Sequence, residues 1–350
     1  MPKVMYDTLI DYVNAILVYK GFSNDKAMDI SRILIDADLK GIHSHGISRL
    51  KRYIGYIDNG MIDVNSDPEI VFETPISTVI DAKKSSGQIT GLFAMNICIE
   101  KALNSGIGMA VVRNSNHYGI AGYYSEMANK YDMIGISATN TAPLVVPTNG
   151  KEAVLGTNPI SVAFPNKENR FSLDMATSVA SRGKIEVKSR TGSDIPQNWY
   201  IDKNGEEVLN SEKVIELLNE KSGGGLLPLG GKDEKSGSHK GYGLSLLVEL
   251  LTSGLSIGCP SVNTYEKNAG ICHFFAAIRL NVFGDSDELT SYFDEIINTI
   301  KNSEKISKIW YHGEKEKNEY EYSIKNGVSI EKSAVEFILK FYPDFEKFLF

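Results

Sequence analysis

The sequence predicts an α/β (α+β) fold in which helical segments at both chain ends enclose a strand-rich middle. Three observations predict it. Apolar residues recur at helical spacing through the first sixty positions, short β-rich runs alternate with helical stretches from about residue 70, and the helical pattern returns after residue 305. Strands spaced this widely and interleaved with helices disfavour a simple sandwich.

The elements follow in order. Leu9, Val13, Ile16 and Leu17 mark a first helix that Gly21 stops. Ser23 is the N-cap of a second, with Ala27, Ile30, Leu34 and Ala37 on its apolar face, and Gly41 interrupts it. Helix resumes between Gly46 and Asn59 through Leu50, Tyr53, Ile54 and Ile57. The strand candidates are STVIDA, GMAVVRN (ending at Arg113), MIGISATN, ISVAFP, FSLDMAT and, much later, CHFFAAIRLNVF. Helices are predicted over 90–105, 119–130, 240–254 and 287–303. Lys184–Lys235 reads as a long Gly/Ser/Asn/Asp-rich segment with one short helix near 212–219, too long for an ordinary connection and therefore packed beside a site.

The 350 residues are 42% hydrophobic, enough for one large domain or two intimate ones. A formal charge of -7 disfavours a nucleic-acid partner, which would want a basic face. No apolar run approaches the roughly twenty residues of a membrane span, and the N-terminus lacks an apolar signal core. Cys98, Cys259 and Cys272 sit in apolar runs and read as buried thiols in a reducing compartment. Neither C-x-x-C nor H-E-x-x-H occurs, so no metal site is expected. The expectation is a cytoplasmic globular protein.

Four constellations could carry chemistry. GIHSHGISRL (41–50) places Arg49 one helical turn beyond His45, joining a proton carrier to a guanidinium that can grip a carboxylate; a capped helix start with surface histidines fits the same residues. RNSNHYGIAGYYSEMA (113–128) puts His117 between a strand end and a helix start, where α/β proteins place ligands, although a capped polar turn fits equally. LGTNPISVAFP and SLDMATS bring Asn158 and Asp174 to strand ends, and Asp174 suits a ribose hydroxyl or a plain turn. SHKGYGLSLLVELL opens a helix at Gly241 and Gly243 with Lys240 just before it, a place for a phosphate. The third glycine of a Rossmann fingerprint is missing there, and no strand clearly precedes.

Together GIHSHGISRLKRYI, NSNHYGIAGYY, GTNPISVAFP, LDMATS followed by RGK, and PLGG followed by HKGYGL closely resemble the malate/L-lactate dehydrogenase family over roughly residues 5–330. The resemblance implies a helical domain (1–72, completed by 290–350) and a mixed-sheet NAD(P)-binding domain (73–289) that is not Rossmann, in a homodimer. It implies an NAD(P)-dependent oxidoreductase passing a hydride between the nicotinamide and a 2-hydroxy acid/2-keto acid pair. Malate is favoured, with lactate or sulfolactate next. Ureidoglycolate, a cyclic imino acid and a non-catalytic nucleotide-binding role are the alternatives. The resemblance also implies roles for individual positions: His45 as proton donor/acceptor, His117 as second catalytic histidine and Arg49 on the substrate carboxylate, with Thr157 and Asn158 beside it. Thr141, Asp174, Met175, Ala176, Lys240, His312, Gly313 and Glu314 fall at cofactor-contacting positions. Many members carry Pro-Gly-Glu where this chain has His312-Gly313-Glu314. The cofactor expected is NAD, with NADP open because Arg182 and Lys184 could meet a 2′-phosphate.

Overall fold

A computed structural model describes residues 1–264 and 270–350. β1 (Lys3–Val4) leads into α1 (Tyr6–Tyr19), α2 (Asn24–Leu39) and α3 (Leu50–Asp58). Ser23 caps α2 by accepting the Lys26 N–H. Two further strands, β2 (Glu69–Glu73) and β3 (Ser77–Asp81), precede α4 (Gly87–Ser105), β4 (Ile107–Ser115) and α5 (Ala121–Asn129). Next come β5 (Met133–Thr139), β6 (Ile160–Phe164), β7 (Phe171–Met175) and α6 (Arg182–Arg190). A short pair, β8 (Tyr200–Ile201) and β9 (Gly225–Leu226), brackets α7 (Ser211–Glu220). α8 (Ser238–Glu249) continues as a π-helical turn to Gly254. The chain ends with β10 (Ile271–Arg279), α9 (Ser286–Asn302), α10 (Glu314–Asn326), β11 (Val328–Ser329) and α11 (Lys332–Leu339).

Among the described residues one seven-stranded sheet runs β2-β3-β4-β10-β5-β6-β7. Only β3 and β4 pair in parallel, through the α4 crossover, and every other pairing is antiparallel. This mixed order is not the parallel Rossmann sheet. α4 and α5 bury one face over Ala94, Met95, Cys98, Tyr124 and Phe275. Val248 and Leu251, from α8 and its π-turn, cover Phe274 and Ala276 on the other. A separate core joins α1, α2 and α3 to Val328, Ile330, Val335, Ile338 and Phe345, with β1 pairing β11. Both chain ends therefore build one helical layer.

Several elements depart from the sequence reading. β4 runs two residues beyond Arg113, and β10 stops at Arg279, where Leu280–Val282 turns. α8 starts at Ser238, so Lys240 lies inside its first turn rather than before the helix. Gly241 is needed there for packing, since a Cβ would sit 2.2 Å from the Leu229 carbonyl oxygen. The segment from Lys184 holds most of α6 as well as α7. Cys98 and Cys272 are buried free thiols, but Cys259 is only half-buried. No described helix is long and apolar enough to cross a membrane.

Candidate active site

The turn between α2 and α3 is organised by Asp38, a carboxylate only 1% exposed at the end of the apolar face of α2. Its Oδ2 accepts the Ile47 N–H at 2.7 Å, and its Oδ1 meets His43 Nδ1 at 3.0 Å. That hydrogen bond raises the pKa of His43, against the opposing effect of burial. Ser48 Oγ donates to the His43 carbonyl at 2.6 Å. Pinned at both ends, the chain makes two 3-10 turns, His43–His45 and Ile47–Arg49, that hold His45 and Arg49 in place. Arg49 Nε donates to the Ser44 carbonyl at 2.5 Å, and Ser44 Oγ lies 2.9 Å from His45 Nδ1.

His117, in the loop between β4 and α5, stacks on His45 with ring centroids 5.6 Å apart and planes inclined by 26°. Its Nδ1 faces Tyr53 Oη at 2.6 Å and the Gly119 N–H at 3.3 Å. An amide can only donate, so this contact favours an unprotonated Nδ1 and places the neutral ring's proton on Nε2. Ser44 can donate or accept and leaves either tautomer open to His45. Burial, then the charges of Arg49 and Arg52, push His45 down to about 4. His117 lies well below the usual histidine range, first through burial and then through His45, Arg49 and Arg52. Two neutral imidazoles thus share one centre. Beside them Arg49 lines a cavity of about 410 Å³ with Ser44, Ser48, Arg52 and Gly183.

A second cavity, of about 360 Å³, is lined by Lys40, Glu126, Ser172, Asp174, His312 and Gly313. Asp174 Oδ2 accepts the Gly122 N–H at 2.7 Å. More than a third of Asp174 opens onto the cleft, yet dense protein around the carboxyl pushes it up to about 6. His312 is anchored by its carbonyl, which accepts the Ser172 N–H at 3.0 Å. Glu314 is buried and ion-paired to Lys301 at 2.9 Å. Ile42 and Ile120 also line this cavity, three residues from His45 and His117 respectively, so two short backbone runs connect the loci.

The other expected positions divide. Met175 and Ala176 are half-buried at the end of β7, beside Asp174. Thr141 Oγ1 accepts the Thr157 N–H at 3.0 Å, which places those two side by side. Asn158 is fully buried, and its amide donates to the Ser245 carbonyl and Glu249, which leaves it committed inside the protein rather than facing a substrate. Lys240 is exposed and lines neither cavity. Arg182 is engaged by Glu186 and Asn219. The sequence reading missed Tyr53, Asp38 and Arg52. Asp38 is one of four aspartates in α2 and nothing in the sequence set it apart, Tyr53 passed as an apolar-face residue, and Arg52 drew no assignment.

The model of the malate/L-lactate dehydrogenase family matches residues 4–339. The chain belongs to that family. A malate dehydrogenase of Pyrococcus abyssi is 46% identical over 340 residues, covering 95% of this chain and 92% of that protein. An L-sulfolactate dehydrogenase of Methanocaldococcus jannaschii is 41% identical over 288 residues, covering 81% and 80%. The crystal structure of malate dehydrogenase from Entamoeba histolytica superposes with a TM-score of 0.94 at 35% identity, covering 98% of this chain and 99% of that one. As a member of the malate/L-lactate dehydrogenase family, the protein is an enzyme, a dehydrogenase acting on CH–OH donors.

Proposed function

We propose that the protein interconverts a small 2-hydroxy acid and its 2-keto acid with NAD, malate and oxaloacetate being the favoured pair. The observation that supports this most is the stacked pair of neutral histidines beside an arginine that has no ion-pair partner among the described residues. Arg49 fixes the C1 carboxylate through its guanidinium fork. His117, oriented by Tyr53 and Gly119, exchanges the proton of the C2 oxygen through Nε2, and His45 closes the opposite face of the pair. An anionic substrate offsets the Arg49 and Arg52 charges that hold both imidazoles down, so their basicity rises when the acid binds.

The Asp174 cavity suits the cofactor's ribose: an open carboxylate is an acceptor for hydroxyl donors, with Gly122, His312 and Gly313 around it, and Met175, Ala176 and Glu314 next to these in sequence. When bound, the nicotinamide supplies the hydride. NAD is favoured over NADP because Glu126, Asp174 and Glu316 outnumber Lys40 and Lys315, and Lys40 is already paired with Asp36 and Glu126 at 2.8 Å each. A 2′-phosphate would meet net negative charge. Titration by nicotinamide fluorescence should show tighter binding of NADH than NADPH, and Asp174→Asn should weaken NADH binding by about tenfold, a hydrogen-bond loss. Equal affinities in the wild type would remove the charge assignment.

The division into 1–72 with 290–350 and 73–289 is proposed with it, supported by the core shared between the chain ends. A homodimer is proposed on the exposed Phe72, Leu250, Leu255 and Ile257, to be checked by light scattering, and a cytoplasmic location on the buried free thiols of Cys98 and Cys272. The deciding experiment follows reduced-nicotinamide absorbance with oxaloacetate, pyruvate, sulfopyruvate, an oxidised ureidoglycolate and a cyclic imine. Oxaloacetate should be reduced fastest; turnover of the imine alone would overturn the proposal. Arg49→Lys keeps the charge and loses the fork, so the KM of the acid should rise by about 10–100-fold while NADH binding holds.

A further inference from the structure

We propose that Arg52 selects dianionic substrates, holding the second acidic group of a 2-hydroxy acid whose first carboxylate sits on Arg49. This rests on the 2-hydroxy-acid reading above. The two arginines stand three residues apart where α3 begins, a spacing that puts their Cβ atoms about 5–6 Å apart on one face. That separation is comparable to the reach between the ends of a four-carbon diacid, and both side chains line the 410 Å³ cavity.

The charges around that cavity are unbalanced. Its walls carry Arg49, Lys51, Arg52 and Arg190 against Glu186 and Glu331. Arg190 is held by Glu331 at 2.8 Å, and Glu186 by Arg182 at 2.9 Å. Arg49, Lys51 and Arg52 are left with no ion-pair partner among the described residues. Arg49 is also destabilised as a cation, first by burial and then by Arg52 beside it. One carboxylate would answer Arg49 and leave Arg52 facing an open cavity. A substrate with two anionic ends answers both and relieves their mutual repulsion. Lys51 is the weaker candidate for the second end. The Arg52 charge is among the largest influences on both His45 and His117, and that of Lys51 is not, so Arg52 is the cation on the side of the reacting centre.

The test is the ratio of kcat/KM for oxaloacetate to that for pyruvate, measured in wild type, Arg52→Gln and Arg52→Lys. Loss of a charge-assisted contact should lower the ratio about 10–100-fold in Arg52→Gln, chiefly through the KM of the diacid. Arg52→Lys should recover part of it, which a merely structural role would not do. Malonate, a dead-end dicarboxylate, should lose inhibitory affinity by a similar factor. An unchanged ratio in Arg52→Gln, or equal losses for both acids, would overturn the assignment while leaving the oxidoreductase reading intact. If the wild type reduces neither acid, that underlying reading fails and takes the inference with it.

Discussion

His117→Ala should lower kcat by about 10²–10⁴, the usual worth of a positioned acid/base group. Reduced-nicotinamide binding should survive, because the Asp174 cavity and its anchors do not depend on this ring. Tyr53→Phe is the milder companion: it removes the 2.6 Å contact to Nδ1, frees the ring to turn and should cost about tenfold. The pH profile sharpens the test. In hydroxy-acid oxidation the accepting imidazole must be neutral, so the rate falls as pH drops through its pKa. Because kcat/KM reports the free enzyme, its acid limb should lie well below the usual histidine range, where burial and the neighbouring cations hold His117. The limb in kcat should lie higher, because the bound anion offsets Arg49 and Arg52. A kcat/KM limb at or above 6.5 would contradict the buried, cation-flanked pair. The same depression has a stability consequence. The unfolded histidine takes a proton that the folded one refuses, so the contribution of His45 to stability is present above 6.5 and lost as pH falls toward 4.

Much of the fold was legible because burial leaves periodic marks. Gly21 and Ser23 punctuate α1 and α2 as expected, and β3, β5 and β6 show the apolar runs that a covered sheet requires. β2 was not legible, since all five residues of EIVFE are exposed at the sheet edge and no alternation survives. α6 escaped for a related reason: RGKIEVKSR buries only Gly183 and Ile185, too little for an apolar stripe. The histidines and Arg49 stood out because they crowd two short motifs. Asn158 misled because a polar residue at a strand end looks available, whereas tertiary packing commits its amide to Glu249 and Ser245. Tyr53 and Arg52 were hidden because their parts in the site come from long-range placement. Tyr53 reaches His117 across 64 positions of sequence.

Gly46→Ala should destabilise the protein by about 2–4 kcal/mol and cut turnover besides. The φ of Gly46 is -83°, so an alanine is not excluded by left-handed backbone. The obstacle is contact: a Cβ there would lie 2.1 Å from Asp38 Oδ2. Asp38 cannot yield cheaply, because both oxygens are committed and the side chain is buried. Driving it aside leaves the Ile47 N–H unsatisfied and loosens the His43 contact, and the turn that carries His45 and Arg49 then shifts. A displacement of about 1 Å at such a centre can cost on the order of 10² in rate. Asp38→Ala should cost about 2–3 kcal/mol by itself, for the same stranded amide. The double variant separates contact from coincidence. With Asp38 shortened, the alanine at 46 has nothing to strike, so the combined loss should fall short of the sum by about 1–2 kcal/mol in denaturant unfolding. Strict additivity would mean that Gly46 is needed for some reason other than the carboxylate lying against it.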